Sequence, residues 1–180
     1  RPVLIGLIGC TGAGRSSVGD ALVRCGYRRV AFSDKVRELA SRLGRCRPSG
    51  ERTPVADVAC LREAAQTVLG EDVWLDACLP RVSTPFGRAS ISPEEPVVVV
   101  DVVSANEERR IRNLGGVIWR VVRPGVGPAD EAEARRLAAL RSDATVCNTG
   151  SLSELHGVVQ YMLDSWGEPL PDLISEPAGA

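Results

Sequence analysis

The chain of 180 residues holds a single lysine, Lys35, among 22 Lys and Arg residues. Histidine is equally scarce, with His156 alone. The six cysteines, Cys10, Cys25, Cys46, Cys60, Cys78 and Cys147, form no C-x-x-C pair. A Cys/His zinc site is thereby excluded, and the scattered thiols read as single buried or surface groups in a reducing, cytoplasmic compartment. The net charge is −1, so no bulk electrostatic attraction to nucleic acid or membrane is expected. There is no run of 18 apolar residues of the kind a transmembrane helix needs. The apolar start of the chain runs into glycines with no basic lead-in or cleavage-like site. It reads as a buried strand and not as a signal peptide.

What is present is enough for one domain with a core, at 44% hydrophobic residues. Alanine, valine, glycine and arginine are abundant. That pattern fits a coding sequence rich in G and C, in which arginine codons displace lysine codons.

Residues 2–8, PVLIGLI, form a continuous apolar run, as in a strand covered on both faces. The segment GCTGAGRSS follows at 9–17. It has the spacing of a phosphate-binding loop: glycine, four residues, glycine, a basic residue and a hydroxyl. Glycines let successive N–H groups turn inward, and the next helix presents its positive end to the same anion. Gly9, Gly12 and Gly14 meet that need, and Ser16 stands where a hydroxyl ligates magnesium. The basic residue is Arg15, where the pattern asks for lysine. Arginine keeps the charge but is planar and bulkier, so the exchange is not conservative at a tight site. The loop either works with an arginine or binds nucleotide with weakened catalysis.

Helical spacing of Val18, Ala21, Leu22 and Cys25 predicts a helix closed at Gly26. A strand over 27–32 follows, then a helix capped by Ser33 or Asp34. Residues 44–55 read as a loop. Helices are expected over 57–69, ended by Gly70, and from Asp72, and an exposed loop over 83–96. The β-branched run 96–103 reads as a strand that carries Asp101. A helix, a strand at 117–122, a polar helix at 130–141, a strand near Ala144 and a helix at 151–166 complete the chain. Ser151 and Glu154 form a capping box at the start of the last. The tail 167–180 reads as loose. Strands alternating with helices imply an α/β fold, a parallel sheet covered on both faces. Ligands then sit beyond the carboxyl ends of the strands, where the glycine loop, Asp34 and Asp101 all fall.

Asp101 suits magnesium binding through water or action on an acceptor phosphate, and equally the capping of a turn. Arg37, Arg62, Arg123, Arg135, Arg136 and Arg141 are candidates to stabilise phosphoryl transfer, though most arginines in such a chain must be solvated. Trp74 and Gln66 could hold a base, and Trp74 equally suits a core.

Three segments together resemble phage-type deoxynucleoside monophosphate kinases, of the P-loop nucleoside monophosphate kinase superfamily. GCTGAGRSSVGDALV with CGYRRVAFSDKVRELA resembles their opening. VVVVDVVSANEERRIRNLGGVIWRVVRPG is similar to their second block, and DATVCNTGSLSELHGVV to their third. The likeness spans most of residues 3–163 and is weak over 45–95. It implies a three-layer P-loop fold with a parallel five-stranded sheet. It also implies transfer of phosphate from ATP, with magnesium, to a deoxynucleoside monophosphate, in a cytoplasm that is the host's for a phage protein.

By the same resemblance, one domain spans 1–166, with the acceptor region at about 34–82 and a lid at about 123–142. Gly9, Thr11, Gly12, Ala13, Gly14, Arg15, Ser16 and Ser17 would bind ATP phosphates, and Asn148 and Gly150 would lie near its base. Asp34, Arg37, Arg62, Gln66 and Trp74 would line the acceptor pocket, and Asp101 would sit between the phosphates. Arg123 opens the lid segment, and Arg136 is a candidate for its charge. Val103 stands where the family has an arginine, and the family's His-x-Ser-Glu lid pattern is absent. Homodimerisation is compatible with this reading. Two others remain open: a related kinase acting on dephospho-coenzyme A or a sugar acid, and a nucleotide-binding module that no longer catalyses.

Overall fold

A computed structural model of the chain describes residues 1–42, 55–70, 73–79, 82–83 and 89–167. The sequence-predicted loop over 44–55 lies almost wholly outside these residues, as do Cys46 and all but the first residue of the 167–180 tail.

The elements alternate as the hydrophobic periods require. β1 (Leu4–Ile8) leads through the glycine loop to α1 (Arg15–Arg24), and β2 (Arg28–Val30) leads to α2 (Phe32–Arg42). Two helices follow, α3 (Val55–Leu69) and α4 (Val73–Cys78), then the short strands β3 (Val82–Ser83) and β4 (Ala89–Ser90). β5 (Val97–Val99), α5 (Ala105–Asn113), β6 (Val117–Val122), α6 (Glu131–Ala139), β7 (Ala144–Cys147) and α7 (Leu152–Asp164) complete the chain. The loop expected over 83–96 instead contains all but Val82 of an antiparallel strand pair, with Val82 opposite Ser90 and Ser83 opposite Ala89.

Five strands form one parallel sheet in the order β2-β5-β1-β6-β7. The chain first steps to one side of β1 and later to the other. β1 is therefore the switch point, and a crevice opens beyond its carboxyl end. Side chains alternate across each strand, so two cores arise. Leu4, Ile8, Val97, Val99 and Ile118 pack on one face with residues of α2, α4 and α5. Ile5, Leu7, Val98, Trp119 and Val121 pack on the other with α1 and α7. This is the three-layer arrangement that the alternation implied. Each fully buried aliphatic side chain contributes about 1.5–3 kcal/mol, which explains why the Val97–Val99 run is wholly enclosed.

The helix ends are fixed locally. Gly26, Gly70 and Gly115 take positive φ just beyond α1, α3 and α5. Ser151 and Glu154 form the expected capping box on α7, and Ser104 and Glu107 form a second one on α5.

Candidate active site

The glycine loop lies directly beyond β1. Gly9 has φ of +154°, and a Cβ there would meet the Val121 carbonyl oxygen at 2.5 Å. Gly14 is the N-cap of α1 in the left-handed region and has no side-chain cap bond. A Cβ on Gly14 would fall 2.1 Å from Asn148 Nδ2, which donates to the Ala13 carbonyl at 3.0 Å. Among the described residues no side chain caps the amides at the start of α1, which suits an anion there.

Arg15 is the first residue of α1 and lines a cleft of about 640 Å³. It makes no hydrogen bond or ion pair with the described residues. Burial pushes its pKa down from the ordinary arginine value, opposed by the charges of Asp101 and Glu133. A guanidinium stays protonated under such a shift, so a desolvated positive charge faces the cleft. Ser16, in the same first turn, is exposed and has no partner among the described residues. Gly9 and Thr11 line the same cleft.

Asp101 reaches the cleft from the segment after β5. Its Oδ1 accepts the Phe32 amide and its Oδ2 the Ser33 amide, both at 2.8 Å. Asp101 therefore caps α2, across 69 residues of sequence. This corrects the expectation that Ser33 or Asp34 caps that helix. α2 already begins at Phe32, so Asp34 lies inside its first turn. There it accepts from Arg37 Nη1 at 2.9 Å and lies 3.5 Å from Arg29 Nη1. Asp34 thus positions Arg37 and is not among the residues that line the cleft.

Arg62, on α3, is buried at 9% exposure. Its guanidinium lies over the Phe32 ring at 5.1 Å, its Nη1 is 3.7 Å from Asp101 Oδ2, and its Nη2 donates to Glu107 Oε1. Arg37 and Arg62 both line the cleft, and the buried Nε of each has no hydrogen-bond partner. Gln66 lines it as well. Trp74 does not: it is buried in the core, and its indole N–H donates to the Arg62 carbonyl at 3.2 Å. Of the two uses open to Trp74, the structure shows the core one, with the side chain buried and away from the cleft.

The lid segment carries α6. Asp130 caps it by accepting the Glu133 amide at 2.7 Å. Glu133 Oε1 accepts both the amide and the hydroxyl of Thr11, at 3.0 and 2.8 Å, and Oε2 accepts the Ala129 amide at 2.6 Å. These bonds, that from Ala129 first, hold its pKa below the ordinary 4.5. Arg136 lines the cleft, and Arg135 pairs instead with Glu131 on the same helix. Arg123 is exposed where the turn after β6 begins, and Gly150 sits against Glu154, where a Cβ would meet Oε2 at 2.2 Å.

Sequence reasoning missed Glu107 and Glu133. The Ser-x-x-Glu spacing of Ser104 and Glu107 was the available signal for the first. The Asp-x-x-Glu spacing of Asp130 and Glu133 marks a helix start, but nothing local marks the reach of Glu133 to Thr11.

No family model matches the chain. A protein of Acanthamoeba polyphaga mimivirus named "Putative deoxynucleotide monophosphate kinase" is 24% identical over 189 residues, which cover 91% of this chain and 97% of that protein. Shikimate kinase from Aquifex aeolicus superposes with a TM-score of 0.52 at 16% identity, over 90% of this chain and 96% of its own. A dephospho-CoA kinase from Campylobacter jejuni aligns over 90% of this chain and 96% of its own, at 11% identity and a TM-score of 0.44. The three-layer α/β fold, with its five-stranded parallel sheet, is the one that this shikimate kinase shows. No helix among the described residues is long and apolar enough to cross a membrane.

Proposed function

We propose that the chain is a phosphotransferase that moves the terminal phosphoryl group of ATP to a deoxynucleoside monophosphate. One observation carries the reading. A single cleft is lined by Arg15 of the glycine loop, which has no partner among the described residues, and by the arginine pair Arg37 and Arg62. Two anion-binding groups in one cleft suit a phosphorylated donor and a phosphorylated acceptor. An acceptor with only hydroxyls or a carboxylate gives the arginine pair less to bind. The name of the mimivirus relative points to the same acceptor class.

The residues fit the donor. The loop amides and the start of α1 would hold the β- and γ-phosphates, and Arg15 would supply the cation a lysine supplies elsewhere. Ser16 has a free hydroxyl where magnesium would bind, and that ion would neutralise charge on the phosphates as transfer proceeds. Asp101 can accept a magnesium-bound water with its remaining lone pairs while it caps α2. By capping α2 it fixes Ser33 and Arg37 at the acceptor end.

Transfer itself asks little covalent chemistry of the protein. Arg37 and Arg62 would hold the acceptor phosphate in line with the donor, and Arg136 would bring lid charge to the equatorial oxygens. Closure of α6 excludes water, so the phosphoryl group reaches the acceptor and is not lost to hydrolysis. Gln66, one turn from Arg62 on α3 and lining the same cleft, would meet the acceptor's base.

ADP release from MgATP tests the reading, with dAMP, dGMP, dCMP and dTMP beside dephospho-coenzyme A, gluconate and shikimate. Turnover with at least one deoxynucleotide, abolished in Arg15→Ala, supports it. Turnover only with the other acceptors would replace it. Tight ATP binding with no turnover would make the chain a binding module.

A further inference from the structure

We infer that Glu107 is a positioning residue for the acceptor site: it acts through Arg62, whose guanidinium it locks in the orientation that binds the acceptor phosphate. The inference rests on the acceptor reading above and adds a residue that no motif of the phosphate loop involves.

Glu107 is almost fully enclosed, at 1% exposure. A carboxylate is buried so deeply only when its oxygens are satisfied. Oε1 takes Arg62 Nη2. Oε2 takes the amides of Val103 and Ser104, at 2.9 and 3.2 Å. One side chain thus ties α3 to the segment that runs from Asp101 into α5.

That tie decides what Arg62 can offer. A guanidinium has five N–H donors in a rigid fork. Glu107 takes one end, the Phe32 ring underlies the face, and the Asp101 carbonyl receives only long contacts of 3.4 Å from Nη1 and Nη2. The Nε is itself buried and has no partner among the described residues, so what Arg62 offers a ligand depends on how its two terminal nitrogens are turned. Without Glu107 the fork is free to turn and pair fully with Asp101, whose Oδ2 is 3.7 Å from Nη1. Arg62 would then be spent on Asp101, and the amides that Oε2 holds would lose their acceptor. Glu107 therefore keeps Arg62 and Asp101 apart in function, one for the acceptor and one for α2. A purely structural role would weaken both substrate sites through the fold and would not depend on Arg62.

Steady-state kinetics on Glu107→Gln, Arg62→Ala and the double variant separates the two roles. Glu107→Gln is expected to raise the KM of the accepted deoxynucleotide about 10-fold or more while the KM of ATP stays unchanged. In the Arg62→Ala background it should add nothing further to the acceptor KM. Arg62→Lys, which leaves Glu107 and its amide bonds in place, should reproduce the acceptor-KM rise. A parallel rise in both KM values, or full additivity in the double variant, would overturn the inference. The Arg62 Nε–Hε signal in a nitrogen-15 correlation spectrum, assigned by its loss in Arg62→Lys, needs no turnover. It should be resolved in the wild-type protein and broadened in Glu107→Gln, and an unchanged signal would overturn the inference. A signal that broadens as expected but never responds to any deoxynucleotide would leave the Glu107 lock standing and would sink the acceptor reading instead.

Discussion

Glu133 on α6 and Thr11 in the glycine loop are joined by two hydrogen bonds, at 3.0 Å to the amide and 2.8 Å to the hydroxyl. The same carboxylate holds the Ala129 amide, so one side chain both shapes the start of α6 and clasps it to the loop. Glu133→Gln should loosen the lid, because a charge-assisted acceptor becomes a neutral one. Hydrogen exchange over residues 126–139 is expected to quicken by roughly 3–10-fold, the range of a single net hydrogen bond. ATP hydrolysis without acceptor should rise in parallel, since the lid no longer excludes water as well.

The clasp should also respond to acid. The pKa of Glu133 is lowered by the bonds it accepts, first from Ala129 and then from Thr11, with Arg15 adding to the shift. A lowered folded-state value means the clasp is fully present above the ordinary glutamate value. It is lost as the pH falls through the lowered one. Protection factors of the lid amides, that is exchange corrected for its intrinsic pH dependence, should fall only below about pH 4.5 on going from pH 7 to pH 3, and the Glu133→Gln variant should show no such step.

Gly9 and Gly14 should not tolerate alanine. Both have positive φ, and the added Cβ would meet the Val121 oxygen at 2.5 Å or Asn148 Nδ2 at 2.1 Å. Asn148 is a side chain and can move, whereas Val121 offers backbone. Gly9→Ala is therefore expected to cost more than the roughly 1–3 kcal/mol of a strained residue, and Gly14→Ala to stay within it. Denaturant unfolding gives both values. Gly14→Ala should in addition weaken ATP binding, because its Cβ adjoins the first amides of α1.

Arg37 is held by Asp34 at 2.9 Å and by Ser33 Oγ at 3.3 Å. Arg37→Ala is expected to raise the acceptor KM by about 10-fold or more while sparing the KM of ATP, since a charged hydrogen bond to phosphate is lost. Asp34→Asn should have a smaller effect in the same direction, because Ser33 still steadies the guanidinium. Titration of each variant with both substrates checks the order.

Most of the fold was legible because its signals are local. The apolar run at Leu4–Ile8, the valines at 97–99 and the glycines after α1, α3 and α5 each mark an element through a few neighbouring residues. The loop that begins at Gly9 and the capping box at Ser151 were readable for the same reason. What escaped depends on residues far apart in sequence. Asp101 caps a helix that begins 69 residues earlier, and Glu133 bonds a loop 122 residues away. Trp74 suited a base or the core, and its indole lies in the core; Asp34, singled out by the strand end it follows, pairs with Arg29 and Arg37. Glu107 lay within reach of the capping-box rule, yet its bond to Arg62 is visible only in three dimensions.

The most direct measurement follows the phosphoryl group itself. MgATP labelled in its terminal phosphate would be incubated with each of the four deoxynucleoside monophosphates, and the products separated. The cleft with two anion-binding groups predicts label in a deoxynucleoside diphosphate, lost in Arg15→Ala and sharply reduced in Arg37→Ala. Label that appears only in free phosphate, or in no product with any acceptor, would contradict phosphoryl transfer by this chain.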